Sequence, residues 1–261
     1  MADPTNREGH SAFLKTLRTI APHKHRYDVF RDFVILAATS LHNSTHKDEA
    51  REAEYLQVIA GYSAEDQQLF PKLLGQLIQL LDPTPADVLG PIYLELDVAN
   101  RDQGQFFTPP DVSYLMAKMT WGEELANCDR PFITLGEPAC GAGGMVLAFV
   151  RIMIENGQNP AEKLWVQCID VDRLAALMCY VQLTLWNVPG EVIVGNTISW
   201  QHREIWYTPA HHLGFWNAKL ARRAEQRDGE DSGEAKDELQ PPAVPTNPAA
   251  QSGPVQFDFE F

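Results

Sequence analysis

The central motif of this chain reads Leu135-Gly136-Glu137-Pro138-Ala139-Cys140-Gly141-Ala142-Gly143-Gly144-Met145. A short β-prone run, 131–134, precedes it, and an apolar run, 146–154, follows it. This pattern predicts a strand, a tight glycine turn and a buried helix. Such a turn at the carboxyl edge of a parallel sheet is typical of a nucleotide-type pocket. Glycine suits the turn because a side chain would hold a ligand away from the backbone, and because some residues there need positive φ angles.

The spacing of these glycines argues against a pyrophosphate ligand. A dinucleotide-binding motif needs a third glycine three positions after the second, and with Gly141 and Gly143 as the first two that position is Val146. An acidic residue ahead of the turn, Glu137, favours a ligand with a positively charged amino group. S-adenosylmethionine is such a ligand. The alternative is an ordinary strand-to-helix turn that binds nothing.

Two further stretches flank the glycine turn. The upstream stretch reads Gly104-Gln105-Phe106-Phe107-Thr108-Pro109-Pro110-Asp111-Val112. Thr108 as N-cap and Pro109 as first helical residue predict a helix start, whereas one of the two preceding aromatic rings could cover adenine. Downstream, the run 164–169 predicts a second strand. It ends at Asp170, which could accept hydrogen bonds from both ribose hydroxyls, while Asp172 could cap the next helix.

These motifs resemble, in their order, those of the N6-adenine DNA methylases. The similar motifs are Gln-Phe-Phe-Thr-Pro, Glu-Pro-Ala-Cys-Gly-Ala-Gly-Gly and Ile-Asp-Val-Asp, and the resemblance covers roughly residues 26–217. It is greatest to the modification subunits of type I restriction systems and to their short phage and mobile-element relatives. The resemblance implies an α/β fold: a Rossmann-like S-adenosylmethionine-dependent methyltransferase core, truncated here and preceded by an α-helical bundle domain. It also implies S-adenosylmethionine as cofactor, DNA as substrate and a separate specificity or partner subunit.

The resemblance also assigns cofactor-binding residues. It implies that the loop 105–109 closes over the cofactor, that Glu137 and the turn hold its methionine part, and that Asp170 holds its ribose. The residues implied are Gln105, Phe106, Phe107, Thr108, Pro109, Glu137, Pro138, Ala139, Cys140, Gly141, Gly143, Asp170, Val171 and Asn196. Asn196 follows a third predicted strand, 191–195, and could hydrogen-bond the adenine amino group; a simple strand-ending turn is the alternative.

The catalytic motif of these methylases has no clear counterpart in the sequence. They carry Asn/Asp/Ser-Pro-Pro-aromatic after the fourth strand, where it accepts hydrogen bonds from the amino group of a flipped adenine and stacks on the base. The nearest stretch here is Thr208-Pro209-Ala210-His211, which makes Thr208, Pro209 and His211 the catalytic candidates. The alternative is that this aromatic region caps the edge of a truncated sheet or forms an interface. A catalytically inactive, S-adenosylmethionine-binding scaffold or regulator is therefore the second functional hypothesis.

Composition indicates a globular protein of one or two domains, with 261 residues of which 44% are hydrophobic. No apolar run approaches the roughly 18 residues of a membrane span, and the amino terminus has no apolar signal segment. A cytoplasmic location is therefore expected.

The four cysteines, Cys128, Cys140, Cys168 and Cys179, form no Cys-x-x-Cys pair. We expect reduced thiols, and predict neither a disulfide nor a metal site.

The net charge of −14 opposes strong non-specific DNA binding by the chain as a whole. The charge is uneven, because the segment from Lys15 to Arg26 contains four basic residues, two histidines and no acid. This segment could be an arm that contacts phosphates. A solvated, partly disordered terminus is the alternative.

The sequence predicts five segments. Residues 1–25 form a mobile basic arm, 26–103 a helical domain, 104–217 the S-adenosylmethionine-binding domain, 218–254 a disordered linker, and 255–261 a docking peptide. In the helical domain, Phe30 and Val34 form part of one apolar stripe and Leu73 and Leu77 part of another.

The terminal peptide resembles those with which bacterial proteins bind the replication sliding clamp, through Gln256, Phe257, Asp258, Phe259 and Phe261. Pairing with the protein's own sheet is the alternative.

Overall fold

The computed structural model of the protein describes residues 4–82, 84–97, 108–126, 128 and 130–234. Its helices are α1 (Pro4–Thr19), α2 (Arg26–Asn43), α3 (Glu49–Ile59), α4 (Ala64–Gln67), α5 (Leu69–Leu81), α6 (Leu89–Asp97), α7 (Pro110–Ala126), α8 (Gly144–Glu155), α9 (Pro160–Lys163), α10 (Arg173–Leu185), α11 (Pro209–Leu213) and α12 (Trp216–Glu234). Its strands are β1 (Ile133–Glu137), β2 (Leu164–Asp170), β3 (Gly190–Asn196) and β4 (Gln201–Tyr207). These elements divide into two units, one up to Trp216 and the other from Asn217 onwards.

The described strands form one sheet in the order β1-β2-β3-β4. The first three strands are parallel, and β4 runs antiparallel to β3. The connections through α8 and α10 are therefore β-α-β units, as the sequence predicts, and the predicted α/β class with a preceding helical region is confirmed. The third connection is a short turn, so β4 reverses direction instead of returning through a helix to lie parallel.

The main core lies on one face of this sheet. Side chains alternate between the two faces of a strand, and those buried on the core face are Leu164, Val166, Cys168, Val192, Val194 and Trp206. The helix α10 packs on β2 and β3 and is buried over most of its length. Its Tyr180 ring lies 5.3 Å from the Trp206 ring.

The helical region shares this core. The predicted stripes are buried, including Phe30 and Val34 on α2 and Leu73 and Leu77 on α5. The helix α2 packs on α10, and the Arg173 guanidinium of α10 bridges Glu54 of α3 at 2.8 Å and Glu204 of β4 at 2.7 Å. The described helices and the sheet up to Trp216 lie in one compact unit.

Two stretches that the sequence predicts to be mobile or disordered contain helices. Residues 4–19 of the predicted arm form α1, because Phe13, Leu17 and Ile20 recur at helical spacing and are fully buried. Of the basic residues between Lys15 and Arg26, Arg26 is held by the chain itself: its guanidinium donates to five backbone carbonyls, including those of Ile20 and Ala21. In the predicted linker, residues 218–234 belong to α12.

The terminal docking peptide, 255–261, lies outside the described residues. Among the helices of the described chain, none has the length and apolar character needed to cross a membrane.

Candidate cofactor-binding site

The glycine turn lies where β1 ends, between Glu137 and the first residue of α8. Two hydrogen bonds from its backbone N–H groups tie it to the end of the neighbouring strand β2. The Gly141 N–H donates to Oδ2 of Asp170 over 2.8 Å, and the Cys140 N–H donates to the Ile169 carbonyl over 2.9 Å. The predicted glycine turn and the predicted ribose acid are therefore brought together at the carboxyl edge of the parallel strands.

Two glycines give the turn its shape. Gly141 and Gly143 have φ angles of 52° and 93°, in the left-handed region that other residues avoid. A Cβ atom on Gly143 would lie 3.0 Å from Sγ of Cys179 on α10. The turn thus packs against α10 with no room for a side chain at Gly143.

The two carboxylates beside the turn make this edge electronegative. Burial raises the pKa of Glu137 above its ordinary value, and the nearby Asp170 carboxylate adds to this effect. Burial also raises the pKa of Asp170, and Asp172 adds to it. Both carboxyl groups would be stabilised by a cationic ligand, whereas a pyrophosphate would be repelled. Asp172 itself caps α10, accepting from the N–H groups of Leu174 and Ala175.

Each carboxylate at the turn keeps acceptor capacity for a ligand. Asp170 accepts one backbone N–H on each oxygen, from Gly141 and Asp172, both over 2.8 Å. Glu137 accepts from the Ala139 N–H over 3.2 Å. Since an ionised carboxylate has about four lone-pair sites, both groups can accept further hydrogen bonds.

A buried polar network behind the turn was not predicted from the sequence. The Gln182 side chain of α10 donates to the Ala142 carbonyl over 2.8 Å and to Asp87 over 3.0 Å, and accepts from the Val88 N–H over 2.7 Å. Asp87 in turn accepts from the Gly90 N–H, and burial raises its pKa. The signal in the sequence is a lone polar residue, Gln182, inside the apolar run of α10, which must find partners when buried.

Of the predicted stretch 105–109, the structure describes Thr108 and Pro109, and Thr108 lies close to the glycine turn. The Thr108 carbonyl oxygen lies 3.8 Å from the place that a Cβ on Gly144 would take. The helix α7 begins at Pro110, one residue later than predicted, because the Pro109 carbonyl accepts from the N–H groups of Val112 and Ser113. Gln105, Phe106 and Phe107 lie outside the described residues.

The turn between β3 and β4 closes another side of the site. The Thr197 hydroxyl donates to the Pro138 carbonyl over 2.6 Å, which joins this turn to the glycine turn. The Asn196 amide oxygen accepts from the N–H groups of Ile198 and Ser199 over 2.9 and 3.2 Å. These bonds are those of a strand-ending turn, the alternative to adenine recognition. Val171, directly after Asp170, is 64% exposed.

The three catalytic candidates lie elsewhere. Because β4 is antiparallel, Thr208 comes next to Gly190, where β3 begins, and this is about 20 Å along the strand from Asn196. The Thr208 hydroxyl is fully buried, accepts from the Gly190 N–H over 3.1 Å and donates to the Val188 carbonyl over 2.8 Å.

The neighbours of Thr208 are held in the same way. His211 is buried, and its Nδ1 accepts from the Trp165 indole N–H over 3.0 Å. The Tyr207 and His211 rings lie 4.6 Å apart. The structure therefore brings Thr208, Pro209 and His211 together with one another, but not with the glycine turn. Their aromatic neighbours lie at the amino end of the parallel strands.

A family model matches part of the chain. Residues 86–213, just under half of the chain, match the family model described as N-6 DNA Methylase. The matched segment spans the glycine turn, Asp170 and the Thr208 stretch. The resemblance seen in the sequence is thus confirmed over this segment. No curated protein matches the chain.

Among solved structures, the chain is similar to one from Listeria monocytogenes, determined at 2.20 Å and described as a class I S-adenosylmethionine-dependent methyltransferase. The identity is 12% and the TM-score is 0.40. The match covers 72% of this chain and 52% of that protein, so the chain spans about half of its length.

Proposed function

We propose that this protein binds S-adenosylmethionine at the carboxyl edge of β1 and β2 and acts in methylation of adenine N6 in DNA. The observation that carries the proposal is the glycine turn hydrogen-bonded to Asp170 with Glu137 beside it, in a segment of the N-6 DNA methylase family. A restriction-modification or mobile-element system, with target recognition by a separate subunit, is the context that the family resemblance suggests.

The residues at the turn fit this cofactor. Asp170 would accept hydrogen bonds from the ribose hydroxyls, while Glu137 would attract the positively charged amino group of the methionine part. Gly141, which has a φ angle of 52°, would allow a ligand to approach its backbone closely, since it carries no side chain. When bound, S-adenosylmethionine supplies the methyl group that is transferred.

A second function is favoured by the position of the Thr208 stretch. An acceptor for the adenine amino group has to lie beside the cofactor, whereas the Thr208 hydroxyl is buried at the start of β3 and is already bonded to Gly190 and Val188. In this second candidate the chain binds S-adenosylmethionine without catalysing methyl transfer itself, and serves as a scaffold or regulatory protein.

Calorimetric titration of S-adenosylmethionine into the full chain tests the shared part of both candidates. We expect binding in the micromolar range, on the order of −8 kcal/mol, that Asp170→Ala weakens. Phe107→Ala, in the sequence motif upstream of the glycine turn, is expected to weaken it as well. Undetectable binding at millimolar concentrations of the cofactor would overturn both candidates.

Methyl transfer separates the two candidates. The chain is incubated with labelled S-adenosylmethionine and DNA that carries no N6-methyladenine, and the nucleosides are then identified by mass spectrometry. Labelled N6-methyladenine that Asp170→Ala abolishes supports the methylase. Binding without transfer, on DNA of diverse sequence, supports the scaffold.

A further inference from the structure

The helix α7 carries an apolar stripe that faces away from the protein. Val112, Leu115, Met116 and Met119 are 45%, 57%, 50% and 80% exposed, and they follow the i, i+3, i+4, i+7 spacing of one helix face. We call these four residues the α7 stripe. Isolated exposed apolar side chains are common, but four on one helix face form a continuous apolar patch of the kind that marks interaction sites.

The opposite face of α7 is fully engaged, so the stripe is not needed to hold this helix in place. Ser113 and Ala117 on that face are completely buried, and the Trp121 ring lies 4.9 Å from the Phe149 ring of α8. The Gln158 side chain also donates to the Leu125 carbonyl over 2.6 Å. The α7 stripe is thus a second apolar face on a helix that is already packed.

The order of residues in the stripe is self-complementary. If two copies of α7 pack antiparallel about a two-fold axis between Leu115 and Met116, Val112 of one copy lies opposite Met119 of the other, and Leu115 lies opposite Met116. Each of the four apolar residues then meets an apolar partner. Methionine suits such a contact because its flexible side chain adapts to the facing surface.

The flanking charges follow the same symmetry. Asp111 and Lys118 are both exposed, and at 100° per residue both lie on the same flank of the stripe. In an antiparallel pair related by a two-fold axis, equal flanks face each other, so Asp111 of each copy approaches Lys118 of the other. Within one copy, the Lys118 ammonium donates to the Tyr114 hydroxyl over 3.2 Å, and that hydroxyl donates to Glu155 of α8 over 2.7 Å.

We propose that the α7 stripe is the interface of a homodimer in which two copies of α7 pack antiparallel, with two Asp111–Lys118 ion pairs between the copies. The occupant of the stripe is therefore a second copy of this chain. The interface requires neither cofactor nor DNA, and so stands apart from the proposed function.

Sedimentation velocity of the full chain over a range of concentrations tests the proposal. At an ionic strength of about 0.15 M, where the repulsion between two chains of net charge −14 is screened beyond about 8 Å, we expect a monomer–dimer equilibrium. Leu115→Glu should weaken the dimer at least about tenfold, because it places a charge in an apolar contact. The matched control is Leu56→Glu on α3, where the side chain is 56% exposed and lies outside the stripe.

Charge exchange tests the antiparallel register. Asp111→Lys alone and Lys118→Glu alone should each weaken the dimer, since each puts two like-charged pairs across the interface. An equimolar mixture of the two variants should dimerise again, because both pairs in the mixed dimer have opposite charges. Circular dichroism melts check that every variant is folded.

The proposal is overturned if the wild-type chain stays monomeric at high micromolar concentration, which would leave the stripe for a different polypeptide. It is also overturned if Leu115→Glu dimerises as well as Leu56→Glu does. A mixture of the two charge variants that stays monomeric would contradict the antiparallel arrangement.

Discussion

The two ends of the sheet contain similar kinds of residues but use them differently. At the carboxyl end of the parallel strands, Glu137 and Asp170 accept a few backbone hydrogen bonds and keep further acceptor capacity. At the amino end, Thr208 and His211 are fully buried and bonded to Gly190, Val188 and Trp165. The same polar chemistry thus remains open to a ligand at one end and stabilises the fold at the other.

This difference follows from the direction of the strands. Three parallel strands place their ends and the following turns at one edge, where backbone N–H groups and polar side chains collect. The antiparallel β4 carries its own end to the opposite edge. A stretch that follows β4 therefore lies far from the glycine turn, whatever its sequence resembles.

The largest effect that we expect comes from removing the Asp170 carboxylate at the carboxyl end of the parallel strands. This group accepts from the Gly141 N–H and, in our proposal, from the ribose hydroxyls. Asp170→Ala should weaken S-adenosylmethionine binding at least about 100-fold, or about 2.7 kcal/mol, because it removes the ribose acceptor and releases Gly141. Calorimetry measures this loss. The control is Thr208→Val at the other end, whose affinity should stay within about twofold of the wild type at a temperature where it is folded. Equal losses in both variants would erase the distinction between the two ends.

The reverse result is expected for folding stability. Thr208→Val should lower the free energy of unfolding by about 2–3 kcal/mol, since it leaves the buried Gly190 N–H and Val188 carbonyl without their partner. Urea denaturation followed by circular dichroism measures this change. Thr197→Val, a matched change at the half-exposed hydroxyl near the glycine turn, should cost less than about 1 kcal/mol. A Thr208→Val protein as stable as the wild type would contradict the structural role.

The backbone of the turn gives a third test. Gly143→Ala should destabilise the protein by about 1–2 kcal/mol, because alanine is strained at a φ of 93° and its Cβ would press on the Cys179 sulfur at 3.0 Å. Denaturant melts measure this change. Gly75→Ala in α5 is the control: nothing lies within 4 Å of the added atom, and this exposed helical position should gain about 0.5–1 kcal/mol. A stabilised Gly143→Ala protein would argue against the tight turn.

The smallest effect concerns pH. Burial raises the pKa of both Glu137 and Asp170, so each carboxyl group is protonated at a higher pH than usual and then no longer attracts a cation. Affinity for S-adenosylmethionine should therefore fall as the pH is lowered through these raised values. Glu137→Gln should cost about threefold to tenfold in affinity at neutral pH and flatten this pH dependence. Titrations between about pH 5 and 8 test this, and an unchanged pH profile in Glu137→Gln would exclude Glu137 from cation binding.

Several features could be read from the sequence because they depend on local patterns. The glycine turn, the strand before it and the helix after it follow from residue type and periodicity, and so do the buried stripes of α2 and α5. The cap that Asp172 forms on α10 likewise depends on residues within one turn of helix. The pairing of Gln182 with Asp87 joins residues far apart in the chain, so residue type alone shows only that Gln182 needs a partner.

The N-terminal segment shows why charge misled the prediction. A run of basic residues without an acid suggests an arm, but the apolar residues between them, Phe13 and Leu17 among others, bury one face of α1. Arg26 then binds the carbonyl groups near the end of that helix. Burial of the apolar face decides the structure of this segment. It costs the basic residues little, because their long side chains still bring the charged groups to the surface.

By itself the sequence determined the resemblance to the N-6 DNA methylases, the glycine turn and the acidic residues that follow the strands, because these are short motifs with local physical causes. Only the tertiary structure decided which of them meet. The direction of β4 separates Thr208 from the turn, and the packing of α7 on α8 selects which of its faces is left exposed. Strand direction and helix packing are set by the burial of surfaces distant in the chain, and no local pattern encodes that.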